Sequence, residues 1–233
     1  MTERRIEMPS DFNGVARLFP LPNLVLFPGV IQALNVFEPR YRMMTEEALN
    51  QDGLITMAMF KPEQLSASLE RPAIFETVCV GKILTHAKLE NGCYNLLLAG
   101  VHRAKILEEV NFELPFRKAR VELIKDEVED ERLADELRLK IVKRFLEILP
   151  NNSHLDKESL ESLLDSNVAT GQLIDLIAYS SGAKPLELQQ MLDTNLVCQR
   201  AKLILKVMRG LEKRATYEEA AARPNFPPDF SLN

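Results

Sequence analysis

Val78-Cys79-Val80-Gly81-Lys82-Ile83-Leu84-Thr85-His86-Ala87-Lys88 is followed by Glu90-Asn91-Gly92 and then by Tyr94-Asn95-Leu96-Leu97-Leu98-Ala99-Gly100-Val101-His102-Arg103-Ala104-Lys105-Ile106. Two apolar, β-branched runs thus flank an Asn-Gly pair, the dipeptide preferred at type I′ hairpin turns. The stretch predicts a β-hairpin. Similar runs surround it: Leu18 to Leu21, Leu24 to Phe27, Gly29 to Val36, Leu54 to Phe60 and Arg117 to Ile124. Phe27-Pro28-Gly29 interrupts two of them and predicts a bend or bulge, because proline donates nothing to a ladder. About six short strands with tight turns predict a closed or nearly closed antiparallel barrel.

One helix interrupts the strands. Glu38-Pro39-Arg40-Tyr41-Arg42 leads into Met43, Met44, Glu47, Ala48 and Leu49, and Pro39 suits a first helical turn. Beyond the charge run Lys125 to Glu131 the period changes: Leu133, Leu137, Ile141 and Phe145 recur every fourth residue, and Pro150 with Asn151-Asn152-Ser153 ends that helix. Leu160, Leu163 and Leu164 mark a short helix, and Leu173, Leu176 and Ile177 another, closed by Gly182. Pro185 opens a long helix through Leu188, Leu192, Leu196, Leu203, Val207 and Leu211. Its span to Lys213 is about 40 Å. The expected fold is α+β: a β-barrel over 1–127, a helical bundle with one long terminal helix over 128–214, and an irregular proline-containing tail over 215–233.

The chain has 233 residues and a net charge of −5, from 29 basic and 34 acidic side chains, which argues against a general nucleic-acid binder. No apolar run reaches the ~20 residues of a membrane span, and the N-terminus is charged where a secretory signal would be apolar. A cytoplasmic location follows as an expectation. Cys79, Cys93 and Cys198 are odd in number and far apart, as reduced thiols would be.

Five stretches resemble the N-terminal, substrate-binding domain of Lon proteases. They are Phe19-Pro20-Leu21-Pro22-Asn23-Leu24-Val25-Leu26-Phe27-Pro28-Gly29, Phe37-Glu38-Pro39-Arg40-Tyr41-Arg42, Val80-Gly81-Lys82-Ile83, Leu98-Ala99-Gly100-Val101-His102-Arg103-Ala104 and Leu188-Gln189-Gln190-Met191-Leu192-Asp193. The second is typical of free-standing bacterial members. The resemblance covers about residues 15 to 212 and implies a PUA-like barrel followed by a helical bundle that helps hold substrate proteins. The 233 residues contain no Gly-x-x-x-x-Gly-Lys-Ser/Thr phosphate loop, and the family's protease domain would lie beyond this stretch. ATP hydrolysis and peptide cleavage are therefore expected to be absent.

Candidate chemistry is sparse. Ser181-Gly182-Ala183-Lys184 has the spacing of some acyl-transferring hydrolases, but Gly182 ends one helix and Pro185 begins the next, so both side chains fall on a connector. His86, His102 and His154 are too dispersed for a zinc site, and Asp126 to Glu131 lacks calcium-loop spacing and reads as a solvated face. Cys93 beside the turn has no neighbouring base. Arg103, Lys105, Arg117, Lys118 and Arg120 form either a basic strip or an ordinary solvent-facing alternation. The substrate-binding candidates are Phe37, Arg40, Tyr41, Arg42 and Met43, where aromatic and methionine groups offer adaptable contacts and arginine adds anchoring, against the plainer reading of a packed helix. Phe226 and Phe230 among the tail prolines have the composition of a docking peptide or of an ordinary terminus. The expected function is non-enzymatic recognition of exposed hydrophobic segments in unfolded client polypeptides, through an apolar cleft presented by barrel and bundle. No catalytic residue, cofactor, metal or membrane is called for, a protease or chaperone is a candidate recipient, and self-association is left open. The alternative is a PUA-like RNA- or small-ligand-binding protein, which rests on fold analogy alone.

Overall fold

The computed structural model describes residues 8–64, 71–148 and 168–221, apart from the side chains of residues 64 and 214–221. Six strands, β1 (Val15–Leu21), β2 (Ile31–Val36), β3 (Leu54–Met59), β4 (Thr77–Lys88), β5 (Tyr94–Val110) and β6 (Arg117–Ile124), form one mixed sheet. Helix α1 (Pro39–Leu49) lies between β2 and β3, and α2 (Glu131–Ile148), α3 (Thr170–Ser180), α4 (Pro185–Asp193) and α5 (Val197–Ala221) follow the strands.

The hairpin is present, with a different turn. Gly92 N–H donates to Leu89 O and Leu89 N–H donates to Cys93 O, both at 2.8 Å. Gly92 alone takes the left-handed conformation, φ +78°, so this is a three-residue turn with a glycine bulge rather than type I′. The Asn91 side chain accepts the Cys93 N–H at 3.0 Å, an Asx contact that leaves Asn91 itself at negative φ.

β5 is long enough to carry three neighbours. One edge pairs with β4; the other pairs first with β2 (Ile31↔Ala99 to Val36↔Tyr94) and then with β6 (Arg103↔Ile124 to Val110↔Lys118). β6 also pairs with β1, so the ladders return on themselves through β1, β3, β4, β5 and β6. The expected all-antiparallel pattern fails at one place: β1 and β3 run parallel, Leu18↔Thr56 to Leu21↔Met59. The cause is the crossover through β2 and α1, which returns the chain to the end where β1 began.

All six residues of β3 are buried, which explains a run without alternation. Leu54 and Ala58 join Leu18, Val80, Ala104 and Val121 inside the circuit of strands. Ile55, Met57 and Met59 join Tyr41, Met44 and Ala48 of α1 on the outside. Leu24 to Phe27, expected as a strand, is a buried loop, since Gly29 N–H and Val30 O are taken by Gly100.

Leu137, Ile141 and Phe145 of α2 are buried as their period implied, and Asp130 caps the helix, accepting the Leu133 N–H at 3.0 Å. α3 ends at Gly182, φ +71°, as expected. The long helix expected from Pro185 is two helices. Residues 194–196 leave helical geometry because Glu127 pairs with this segment: Glu127 N–H donates to Asn195 O at 3.1 Å and Val197 N–H to Glu127 O at 2.9 Å. α5 continues to Ala221, so the first residues of the expected irregular tail, 215–221, are helical. Pro150, Asn151, His154, the expected helix around Leu160, Leu163 and Leu164, and the tail's Phe226 and Phe230 lie outside the described residues. Sheet and helices share one continuous core, in which Phe27 and Leu98 meet Leu173, Ile177, Met191 and Ile204. Among the described residues no helix is long and apolar enough to cross a membrane.

The start of α5 is fixed by Glu129, whose carboxylate accepts the N–H groups of Cys198 (2.8 Å) and Gln199 (3.3 Å). Burial raises its carboxyl, but these amide donors outweigh burial and hold it below the usual carboxylate range. A depressed pKa contributes stability that is present above the unfolded value, about 4.3, and is lost as pH falls through the folded one. Glu129→Ala should therefore lower the melting temperature at pH 7, and the gap from wild type should narrow below about pH 4. A gap independent of pH would assign the effect to packing.

Candidate functional site

On β2 and β5, Leu34, Leu96 and Leu98 turn toward the core, so by strand alternation their neighbours turn away from it. Ala33 lies opposite Leu97, and Leu97 opposite Thr85; Asn35 lies opposite Asn95, and Asn95 opposite Ala87. These outward residues, together with His86 and parts of Leu34 and Leu96, line an open, mainly apolar groove of about 470 Å³. Leu97 is 39% exposed at its centre. The groove lies on the sheet, whereas the cleft was expected between barrel and bundle, where sheet and helices share a core. Among the described residues β2 pairs only with β5, so its other edge carries no strand. Phe37, directly after β2, is 63% exposed.

The five expected binding residues are divided. Phe37 and Met43 are exposed, and Arg40 and Arg42 are at least partly so. Tyr41 is buried, its ring 4.5 Å from that of Phe19 and 4.5 Å below the Arg40 guanidinium. It lines a smaller cavity, about 50 Å³, between the start of α1 and the segment leading into β6. Arg40, Arg71 and Arg117 stand around this cavity, with Phe60 and Phe116 as apolar wall. Arg117 is held by Glu109 on two atoms and by Pro72 O at 2.8 Å; Arg40 pairs with Glu38 at 2.7 Å. Burial pushes the Tyr41 hydroxyl up, against the opposing pull of Arg40, so it remains a protonated donor.

A family model for the substrate-binding domain of ATP-dependent protease La (Lon) matches residues 15–210. The chain belongs to the Lon substrate-binding domain family. It is similar to Lon protease of Anaeromyxobacter dehalogenans, 30% identical over 206 residues, covering 85% of this chain and 23% of that protein. It is also similar to Lon protease 2 of Myxococcus xanthus, 28% identical over 206 residues, covering 85% and 24%. The chain thus spans about a quarter of the length of these relatives. Among solved structures, the N-terminal domain of the Mycobacterium avium complex Lon protease aligns with a TM-score of 0.64 at 14% identity, over 84% of this chain and 98% of that one. A Lon N-terminal domain protein from Xanthomonas campestris gives 0.54 at 19%, over 82% and 97%. These two show the fold.

In this Lon-type chain the acidic run 126–131 does more than face solvent. Asp126 pairs with Arg103 at 3.1 Å and chelates Arg200; Glu129 and Asp130 cap helices. Arg103 is 2% exposed and reaches Asp175 at 2.6 Å, which corrects its place on a solvent-facing strip. The rest of that strip is neutralised: Lys105 by Glu76, Arg117 by Glu109, Lys118 by Glu47 and Arg120 by Glu108. Sequence patterning missed Asp175 and Arg200, and also Arg17, which is 5% exposed and anchors β1 to Glu47 and Asp52 at 2.7 Å each. An arginine within an otherwise apolar strand was the only available signal. The Ser181 hydroxyl is engaged by Ala178 O at 2.7 Å and by the Ala183 N–H at 3.2 Å, on the expected connector. His86 is exposed and His102 contacts Arg103 O at 2.8 Å; no group of three metal-ligating side chains occurs among the described residues.

The thiols differ in environment. Burial pushes Cys79 up to about 12 and raises Cys198, whereas Cys93 is only half-buried. A thiol-disulfide reagent at pH 8 should react first with Cys93 and reach Cys79 only after unfolding. Fast native labelling of Cys79 would contradict its place in the core.

Proposed function

We propose that this protein is a non-catalytic polypeptide-recognition module, holding extended apolar segments of unfolded client proteins in the groove over β2, β5 and β4. The observation that carries the reading is an open apolar groove of about 470 Å³ beside a strand paired on one side only. An extended client segment would set its side chains against Ala33, Leu97 and Ala87, and the free edge of β2 offers it backbone hydrogen bonds. Membership of a substrate-binding family supports the same reading. Phe37 and Met43 extend the apolar surface at the end of β2 and on α1, with Arg40 and Arg42 as polar anchors. The strand circuit is read as a PUA-like barrel, and both surfaces fall in the sheet-bearing part, residues 1–127. A protease or chaperone receiving the client belongs to this proposal; a basic face for RNA has no support, given the ion-paired strip.

The test is fluorescence anisotropy of a labelled, permanently unfolded polypeptide titrated with the protein, followed by mass analysis of the polypeptide. Saturable binding with the polypeptide intact is expected. Leu97→Glu should weaken binding about tenfold or more with little change in melting temperature, since Leu97 is exposed and a carboxylate there opposes apolar burial. Cleavage of the polypeptide, or binding indifferent to Leu97→Glu, would overturn the proposal.

A further inference from the structure

The cavity at the start of α1 has a chemistry unlike the groove's. Three guanidiniums surround it, those of Arg40, Arg71 and Arg117, and the carboxylates paired with them are two, Glu38 and Glu109. One positive charge is therefore left without a counter-charge among their ion pairs. The N-terminus of α1 stands at the same place; Pro39 has no N–H and those of Tyr41 and Arg42 donate to Glu38 O at 3.0 Å, so the helix adds the positive end of its dipole rather than a set of free donors.

The second observation is Tyr41. Three tyrosine side chains are described: Tyr94 donates to Glu46 and Tyr179 to Gln32, whereas the Tyr41 hydroxyl makes no hydrogen bond with a described residue. Yet Tyr41 is 3% exposed and lines the cavity. A tyrosine packed into the core, whose hydroxyl keeps access to the cavity and has no partner among the described residues, stands beside surplus positive charge: the site is prepared for an acceptor that carries one negative charge.

We propose that this cavity binds a single carboxylate of the client polypeptide, held by the Tyr41 hydroxyl and the guanidiniums of Arg40 and Arg117, with Phe60 and Phe116 against the adjoining apolar atoms. The inference rests on the polypeptide-recognition reading above and adds the chemical class of the client. Size and charge select the carboxylate: about 50 Å³ admits a group of a few heavy atoms, and one surplus charge matches a monoanion better than a phosphate. The carboxylate can come from a chain terminus or from an aspartate or glutamate side chain.

The experiment uses one labelled apolar hexapeptide in three forms: free C-terminal acid, C-terminal amide, and C-terminal amide with one internal glutamate. The wild-type chain should bind at least one carboxylate form about tenfold more tightly than the plain amide, and the form that gains identifies the source. Tyr41→Phe keeps the ring packed on Phe19 and removes only the donor; it should cut that preference at least threefold. Arg40→Gln, at a partly exposed side chain, should do the same without disturbing the fold. Equal affinity for all three forms, no binding of any form, or a preference unchanged in both variants would overturn the proposal. Binding of the long unfolded polypeptide with no carboxylate preference would sink this site and leave the groove standing. A carboxylate preference that survives Leu97→Glu while the long polypeptide fails to bind would do the reverse.

Discussion

Replacing Asp175 with leucine is expected to cost about 3–5 kcal/mol and to lower the melting temperature by roughly 10 °C. Asp175 is 1% exposed and sits between Arg103, at 2.6 Å, and Arg200, whose Nε lies 3.2 Å from the same carboxylate oxygen. The Arg200 contact is an ion pair without hydrogen-bond geometry, so charge rather than direction holds it. Asp126 supplies the second carboxylate, and Leu192 O and Thr194 O take further guanidinium protons at 3.2 and 2.7 Å. Two cations and two anions thus join β5, α3, α5 and the 126–130 connector. Burial raises the Asp175 carboxyl while both arginines pull it back. Removing Asp175 leaves two buried guanidiniums sharing one half-buried carboxylate. Arg200→Met removes the imbalance from the other side, so the Asp175→Leu, Arg200→Met double variant should lose clearly less than the sum of the single losses. Chemical-denaturant melts of the four proteins check this; strict additivity would show that the charges do not act as a unit.

The second large effect is expected at Gly100. A Cβ there would overlap the Phe27 carbonyl oxygen and stand 2.7 Å from its carbon, both backbone atoms that cannot rotate aside. Gly100→Ala must push away the Phe27-Pro28-Gly29 loop and with it the bonds Gly29 N–H to Gly100 O and Gly100 N–H to Val30 O, each 2.8 Å. Overpacking and two lost hydrogen bonds together amount to roughly 3 kcal/mol or more. Gly182→Ala is the control: its φ is +71° but nothing lies within 4 Å, so only backbone strain of about 1 kcal/mol is expected. Equal stability of the Gly100 and Gly182 variants in urea titrations would show that the loop yields freely. The Gly100 effect also bears on recognition, because that loop leads into β2, the free-edged strand beside the groove.

Several features were legible in the residues themselves. The apolar runs around Glu90-Asn91-Gly92 and the run Arg117 to Ile124 marked β4, β5 and β6, because strands of this kind are specified by local side-chain pattern. The four-residue period from Leu133 to Phe145 marked α2, and Gly182 marked a helix end, since only glycine takes that φ at no steric cost. The five quoted motifs pointed to the Lon family, and the match over residues 15–210 agrees.

What the sequence left open depended on partners far along the chain. The parallel pairing of β1 with β3 follows from where α1 carries the chain, and the break at 194–196 from a bridge to Glu127, about 70 residues earlier. Arg103 and Arg117 carry the same charge and lie on neighbouring strands, yet one is buried in an ion cluster and the other borders a cavity. No local pattern separates them, because burying a charge is tolerated only where another residue supplies the opposite sign, and for Arg103 that residue is Asp175, 72 positions along the chain, while Arg117 finds Glu109 only eight positions away across the β5–β6 ladder. For the same reason the choice of Phe37, Arg40, Tyr41, Arg42 and Met43 carried no geometry: the helix start was visible in Pro39, while the cavity wall across from Arg40 and Tyr41 comes from Phe60, Arg71 and Phe116, which only the tertiary fold brings there.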